Sequence, residues 1–434
     1  MEYRRDAMSY GYRYFLVVSS SVLTLAHGFA AEAQKPQPGQ LTLRQALEEA
    51  FDRSPVLRAQ RAQVGQAQGR FLTARTYRFN PQLSLDAARR RGGLESVTDR
   101  GVTLAQEIEI GGQRRQRVRL AGAEQDAARA RFLRTARLLA ARVRGAFVQA
   151  LGAGERVEVD RANADLAASL ADVARKRFEA GAAPQMEVNL ALVQVGRSQR
   201  DVLLSEGAYQ VARTMLAEVV GLDADEPPVP VGKLDLPGRE LPAFSELLAS
   251  ALKQRADLQT FRHAVRAAQA RLDLARREVV PNLMAGAFYA REEGTDRLLG
   301  AFIGARIPIF NRNRGAIAEA QGLLQQAEAD AEAVELQVRQ EVASTLARYR
   351  AAAGATTNLQ AQVLGSLQEN LGLLRRSFEA GKTSWTEVLV FRREFVEVRR
   401  EYLETLTEAL LADIEMDLAI GMAPPVSLSG ESRP

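Results

Sequence analysis

The phrases Arg177-Phe178-Glu179-Ala180-Gly181 and Ser377-Phe378-Glu379-Ala380-Gly381 are two copies of one pattern, separated by 200 residues. A Glu-Val pair follows both copies at the same distance, beginning at Glu187 and at Glu387. The same separation relates Pro81 to Pro281. We infer a tandem duplication, in which each half of the chain builds half of one pseudo-symmetric body.

Composition limits the classes of function. The chain has 434 residues, 26% of them charged and 6% aromatic, with a net charge of +5. It contains no cysteine, which excludes disulfides, a thiol nucleophile, cysteine-based metal sites and a lipid-anchored cysteine. Two histidines and the lack of a Ser-His-Asp pattern or phosphate loop give no support for an enzyme.

Residues 1–33 have the layout of a secretory signal peptide. Arginines precede an apolar stretch from Phe15 to Ala26, and small residues follow it. Cleavage after Ala30 and cleavage after Ala33 both fit, and translation could start at Met1 or at Met8. The sequence therefore predicts export across an inner membrane.

Two strand hairpins are predicted, at about 82–110 and about 282–309. In both regions apolar residues alternate with polar or small ones, whereas the preceding stretch from Leu41 to about Arg78 has the apolar spacing of an amphipathic helix. Strands of this length fit a span of about 9 to 11 tilted residues across an outer membrane. Four strands cannot close a barrel in lipid, so the pattern predicts a barrel assembled from several chains, and three chains would give twelve strands.

The remaining sequence predicts long helices. No proline occurs between Gln113 and Ala183 or between Asn311 and Gly381, although glycines near the middle, at Gly152, Gly154 and Gly354, are candidates for interruptions. Gly181 and Gly381 are predicted helix caps at the turn of each helical hairpin. We assign a signal peptide (1–33), a first repeat (34–222), a proline-rich crossover (223–243), a second repeat (244–422) and a tail (423–434), with hairpin tips at about 178–187 and 378–387.

These features together resemble the TolC-type outer-membrane efflux channels over nearly all of the mature chain. The segments Gln106–Arg115, after the second strand, and Ile307–Gly315, after the fourth, are similar to the cobalt-zinc-cadmium (CzcC-like) branch. The implied fold is mainly α with a small β part: helical hairpins form an α-barrel tunnel, and two β-hairpins per chain contribute to a trimeric 12-stranded outer-membrane β-barrel.

The resemblance also implies partners and a location. The expected assembly is a homotrimer in the outer membrane, with its helical part in the periplasm, joined to a periplasmic adaptor and an inner-membrane proton-driven pump of the RND type. Such a channel carries out no covalent chemistry, so no cofactor, resident metal or catalytic residue is expected.

Several residues are candidates for a role in this assembly. Phe178, Gly181, Phe378 and Gly381 are expected to contact the adaptor at the tip, with helix capping as the alternative. Glu187 and Glu387 fall where the family has acids near the closed periplasmic end, and either attract cations at a gate or serve as first-turn helix residues.

Charged residues near the strands are interpreted more conservatively. Glu107 and Glu109 are expected to face the lumen on the second strand. There they are expected to make the lumen hydrophilic rather than to bind a particular ion. Arg89, Arg90 and Arg91 are expected on a solvated outer loop, with contact to lipopolysaccharide phosphates as the alternative.

We therefore predict a passive exit duct of a tripartite efflux system, with divalent heavy-metal cations as cargo. Export of drugs or other organic solutes is the alternative in the same class. A periplasmic coiled-coil scaffold is the alternative from another class.

Overall fold

The computed structural model describes residues 39–422 except 93–94, 240, 293–295, 365–369, 371, 375, 379 and 381. The predicted signal peptide, the tail and Gly381 therefore lie outside the described residues. The division into domains stays a prediction.

Both halves contain the same order of elements, which confirms the duplicated fold. The first half consists of β1 (Gln40–Leu41), α1 (Leu43–Arg53), α2 (Pro55–Arg75), β2 (Gln82–Gly92), β3 (Glu95–Ile108), α3 (Gln113–Glu179) and α4 (Gln185–Val220). The second half consists of β4 (Val229–Pro230), α5 (Phe244–Gln254), α6 (Ala256–Arg277), β5 (Leu283–Glu292), β6 (Asp296–Ala305), α7 (Arg314–Asn358), a π-helical segment (Leu359–Leu364) and α8 (Trp385–Ile420). No helix in the described ranges is both long and apolar enough to cross a membrane.

The amphipathic stretch from Leu41 to about Arg78 is two helices rather than one. Thr42 caps α1, and its side chain accepts a hydrogen bond from the amide of Gln45. Ser54 then ends α1 and caps α2, in which Pro55 is the first residue. Proline is suited to that position because its missing N–H would have no partner in the first helical turn.

The glycines near the middle of the long helices do not interrupt them, contrary to the sequence-based expectation. Helix α3 is continuous over 67 residues and contains both Gly152 and Gly154. A Cβ atom at Gly152 would lie 2.8 Å from the hydroxyl oxygen of Thr407 on α8. Glycine is used here for close helix packing rather than for a break. In the second half, Gly354 also lies within α7, and the π-helical segment begins only at Leu359.

The core is built twice from corresponding positions. Leu47 of α1 is buried in a cluster with Val143 of α3 and Leu216 of α4. Its counterpart 200 positions later, Leu247 of α5, is buried with Val338 of α7 and other residues of α7 and α8. Each short helix thus buries one apolar face against its own helical hairpin, as the sequence periodicity indicated.

A charge cluster attaches the crossover segment to both halves. Arg239 of the crossover lies 2.7 Å from a carboxylate oxygen of Asp413 and 2.8 Å from one of Asp417 on α8. Arg144 of α3 also contacts Asp417, at 2.8 Å. Burial raises the pKa of Asp413 above its usual value, and the two arginines oppose that rise.

The long strands form one antiparallel sheet in the order β2-β3-β5-β6. The pairing is continuous from Gln82 opposite Ala105 to Gly92 opposite Glu95, and equally regular between the other strands. Among the described strands, β2 and β6 each have a neighbour on one side only. The sheet therefore has two open edges and is not closed within one chain.

Arg89, Arg90 and Arg91 lie within β2, which corrects their assignment to an outer loop. Each of them is paired with a residue of β3, from Thr98 opposite Arg89 to Ser96 opposite Arg91. The strand extends further than expected because the hydrogen-bonded ladder continues to the pair formed by Gly92 and Glu95.

Two phenylalanines pack over glycines in the second hairpin. Phe302 lies opposite Gly286, and Phe288 lies opposite Gly300. A Cβ atom at Gly286 would lie 2.5 Å from the ring of Phe302 and 2.8 Å from the backbone oxygen of Leu104. Aromatic packing of this kind over a cross-strand glycine fixes strand register.

We predict that Gly286→Ala destabilises the sheet by about 1–3 kcal/mol, because the added methyl group overlaps Phe302 and the neighbouring backbone. Gly304→Ala is the matched control, since a Cβ atom at Gly304 meets nothing within 4 Å. The measurement is the temperature at which the detergent-solubilised protein loses its β-sheet circular dichroism signal. Equal temperatures for the two variants would contradict the packing argument.

Candidate functional site

The four-stranded sheet has two chemically different faces. Because side chains alternate along a strand and the described pairing has no bulge, the register assigns every residue to a face. The apolar face carries Leu83, Leu85, Ala87, Val102, Leu104, Ile108, Leu283, Ala285, Ala287, Tyr289, Leu299, Ala301, Ile303 and Ala305. The other face, here called the polar face, carries the acidic residues of the described strands.

The apolar face is exposed in the single chain. Leu299 is 81% exposed, Leu85 is 74% exposed and Ile303 is 73% exposed. A continuous apolar surface of this kind is unfavourable in water and favourable against lipid hydrocarbon. The sheet is therefore suited to a membrane with its apolar face outward and its polar face toward an aqueous interior.

The polar face is acidic. Its carboxylates, among residues whose side chains are described, are Asp86, Asp99, Glu107, Glu292 and Asp296. Arg90 is the one basic residue among them and lies 3.1 Å from a carboxylate oxygen of Asp99. This face therefore has an excess of negative charge.

The two acids predicted on the second strand have different environments. Glu107 lies on the polar face, and its carboxylate accepts a 2.7 Å hydrogen bond from the side-chain amide of Asn282. Glu109 lies beyond the end of β3, which ends at Ile108, and its side chain is only 5% exposed. Its carboxylate accepts two hydrogen bonds from Arg117 of α3, at 2.5 and 2.9 Å. Glu109 thus links the end of β3 to α3 through Arg117, and its position in the lumen stays a prediction.

The Glu109–Arg117 pair also affects the ionisation of the arginine. The hydrogen bonds from Arg117 to Glu109 raise the pKa of that guanidinium, although partial burial opposes the rise. The same junction contains a cavity of about 440 Å³, lined in part by Glu107, Glu278 and Arg306. No described group of three or more histidine or acidic side chains is arranged to hold a metal ion.

The first helical tip retains an exposed aromatic residue. Phe178 is 41% exposed, and it precedes the left-handed Gly181, whose φ is +71°. The amide of Ala182 donates a 2.8 Å hydrogen bond to the carbonyl oxygen of Arg177, which closes the helix end. Gly181 is therefore a cap, and adaptor contact by Phe178 and Gly181 stays a prediction.

The second tip differs, because Phe378 is fully buried. Its exposed fraction is 0%, and its ring centroid lies 5.6 Å from that of Trp385. The guanidinium of Arg177 lies 4.8 Å from the same ring and so connects the two tips. Phe378 is therefore a packing residue within the chain, and its contact with an adaptor stays a prediction.

The two candidate gate acids are also not equivalent. Glu187 lies 3.2 Å from Arg177, and its side chain is only 11% exposed. Glu387 instead accepts a 2.8 Å hydrogen bond from the backbone amide of Ser384 in a capping box. Ser377 occupies the position that corresponds to Arg177, so the second copy lacks this cation. A role at a gate stays a prediction for both acids.

Sequence reasoning missed Arg177 and Trp385 as tip residues. Arg177 contacts Glu187 of its own half and Phe378 of the other half, and no local pattern indicates the second contact. The difference between Arg177 and Ser377 was visible in the repeat, and it was the available signal that the two tips had diverged.

Comparisons with known proteins agree with this geometry. The family model described as "Outer membrane efflux protein" matches residues 46–222 and 247–422. The chain is 26% identical over 387 residues to the cobalt-zinc-cadmium resistance protein CzcC of Cupriavidus metallidurans, covering 88% of this chain and 90% of that protein. It is 25% identical over 412 residues to the pyoverdine export outer membrane protein OpmQ of Pseudomonas putida, covering 87% and 85%. A crystal structure of CusC shares the fold, with a TM-score of 0.70, 20% identity and coverage of 87% and 92%.

We predict that Phe378→Ala costs about 3–5 kcal/mol of folding free energy, because it opens a cavity among buried side chains. Phe178→Ala, at the corresponding position of the first copy, is the control and should cost far less because its ring is already partly solvated. Trp385 is the only tryptophan in the chain, so its fluorescence reports on this cluster directly. A longer emission wavelength is expected for Phe378→Ala alone, and the same shift in both variants would contradict the assignment.

Proposed function

Because the chain belongs to the outer membrane efflux protein family and is an outer-membrane efflux channel, we propose that it is the exit duct of a tripartite, proton-driven system for divalent heavy-metal cations. The family is one of transport ducts rather than enzymes. The proposal has three parts, which concern assembly, cargo and partners.

Assembly follows from the open edges of the sheet. In lipid, an unpaired row of backbone amides and carbonyls is strongly unfavourable, so the free edges of β2 and β6 require strands from other copies. Pairing β2 of one chain with β6 of the next, three times, gives a closed barrel of twelve strands. We propose this homotrimer, with the polar faces lining its lumen and the helices continuing as a tunnel.

The acidic polar face is the observation that favours cations as cargo. Three chains would bring fifteen carboxylates and three arginines into one lumen, counting only the described residues listed above. A channel lined by one sign of charge raises the local concentration of ions of the other sign. The name of the relative CzcC, a cobalt-zinc-cadmium resistance protein, supports divalent metals within that class.

A second candidate is export of organic solutes. Phe288 and Phe302 lie on the polar face and present aromatic rings among its carboxylates. Such rings favour contact with apolar parts of a solute rather than with a hydrated metal ion. The relative OpmQ, named for pyoverdine export, fits this alternative.

The helical tips are proposed as the meeting point with the periplasmic adaptor. Phe178 offers an exposed aromatic side chain next to a rigid turn, the kind of residue that often dominates an interface. Glu387 is the better gate candidate of the two acids, because the carboxylate of Glu187 already faces Arg177. An inner-membrane RND-type pump completes the proposed system.

We predict that neutralising the polar face reduces selectivity for cations. The variant Asp86→Asn/Glu107→Gln/Glu292→Gln should lower the cation-to-anion permeability ratio in planar bilayers by about ten-fold, because it removes nine lumenal charges per trimer. Asp225→Asn/Glu226→Gln, in the exposed crossover, is a control that removes carboxylates away from the sheet.

The cargo itself is tested by growth. A deletion strain is compared across zinc, cobalt, cadmium, nickel and copper salts and across dyes and antibiotics, with complementation by the intact gene. Sensitivity to divalent metals that the intact gene corrects is the expected outcome, with weaker correction by the neutralised variant. Sensitivity to organic compounds alone would overturn the metal assignment and leave the channel in place.

We predict that Phe178→Asp weakens binding of the adaptor by about ten-fold or more, since a charged side chain replaces an aromatic contact. Phe244→Asp on α5 is the control, because Phe244 has nearly the same exposure, 40%, and lies outside the tips. Site-specific crosslinking to a co-expressed periplasmic adaptor provides the measurement. Unchanged crosslinking by the tip variant would remove Phe178 from the interface.

A further inference from the structure

Five arginines lie on the apolar face of the sheet, at the ends of the strands that are nearest the hairpin turns. This arginine belt consists of Arg89, Arg91, Arg100, Arg291 and Arg297. Arg100 is paired directly with Arg291, and Arg291 is paired directly with Arg297, so three adjacent strands present arginine at one level. Arg89 and Arg91 continue the belt along β2 toward its turn. All five side chains are exposed.

The belt begins where the apolar surface ends. One step closer to the helices, the same face carries Leu85, Val102, Tyr289 and Leu299, at a distance of about 7 Å along the strands. At the opposite end of the face, next to the helices, the residues are Ile108, Leu283 and Ala305. On the described strands, this face therefore has charges at one membrane boundary and none at the other.

Sign is segregated across the sheet. On the described strands every residue with a basic side chain on the apolar face is an arginine, and no acidic residue lies on that face. The described hydrogen bond of Arg89 is to a neutral group, the hydroxyl of Ser96, at 3.1 Å. Arg100 and Arg297, on either side of Arg291, therefore place positive charge at one level of this face, where it attracts an anionic group outside the sheet.

The position of the belt identifies the anion. The belt lies at the strand ends farthest from the helices, and in an outer-membrane channel with a periplasmic helical part those ends face the cell exterior. The belt then lies at the headgroup level of the outer leaflet. A guanidinium binds a phosphate through two parallel hydrogen bonds, which makes arginine well suited to phosphate groups.

We propose that the arginine belt is a binding surface for the phosphate groups of outer-leaflet glycolipids, and that it holds the barrel at a fixed depth in an asymmetric membrane. Three chains supply fifteen arginines around the outside of the barrel. The inference depends on the outer-membrane location and is independent of the cargo. The proposal also assigns a function to Arg89 and Arg91 of β2, which simple exposure to solvent would not do.

The test is native mass spectrometry of the full-length trimer in detergent with bisphosphorylated lipid A and, separately, with dephosphorylated lipid A. The wild-type protein should retain the phosphorylated lipid at least about ten-fold more strongly, because each arginine near an anionic surface contributes to the attraction. Arg100→Gln/Arg291→Gln/Arg297→Gln should lose this preference, and Arg89→Gln/Arg91→Gln should reduce it. The preference should also weaken as salt concentration rises.

Two comparisons keep the outcome interpretable. Arg58→Gln/Arg350→Gln/Arg393→Gln removes the same charge from exposed helix positions and should keep the preference. Arg100→Lys/Arg291→Lys/Arg297→Lys keeps the charge and should retain part of it, even if the glutamine variant fails to assemble. Equal retention of the two lipids by the wild type would overturn the proposal. So would equal loss in the helix variant, or displacement of the lipid by inorganic phosphate at the same phosphate concentration.

Discussion

Backbone hydrogen bonding at the sheet edges is the constraint on which the rest of the structure depends. One chain supplies four strands whose outer two each leave a row of amides and carbonyls without a described neighbour. Lipid offers no partners for these groups, and the apolar face excludes water as a substitute. The chain is thus complete only in an assembly, and the closed ring of strands determines that there is an inside and an outside.

The regular register gives the sheet two chemically distinct surfaces. Because the described pairing contains no bulge, each face keeps its identity from the junction with the helices to the hairpin turns. A shift of one residue would exchange Leu85 with Asp86 and place carboxylates in lipid. Phe302 over Gly286 and Phe288 over Gly300 are specific contacts that oppose such a shift. The acidic polar face and the exposed apolar face therefore have the same structural origin.

Duplication gives the two halves of the chain the same fold, and sequence divergence between the copies makes the two helical tips different. Phe178 is exposed at one tip, whereas Phe378 is buried against Trp385 at the other. Arg177 contacts both Phe378 and Glu187, and serine replaces it in the second copy. The two tips are thus joined to each other through a residue of the first repeat, and of the two corresponding phenylalanines Phe178 is exposed and Phe378 is buried.

The sequence by itself determined the duplication, the two hairpins, the long helices and the family, because these depend on periodicity and on a register of 200 residues that can be counted directly. Tertiary structure decided the roles of individual side chains. Glu109 and Phe378 had the right residue types for a lumen and an interface, yet Arg117 and Trp385 bury them within the chain. Arg100, Arg291 and Arg297 are far apart in sequence, and only strand pairing brings them to one level of one face. Local pattern fixes which face a residue takes, whereas its partners come from segments that fold against it from elsewhere in the chain.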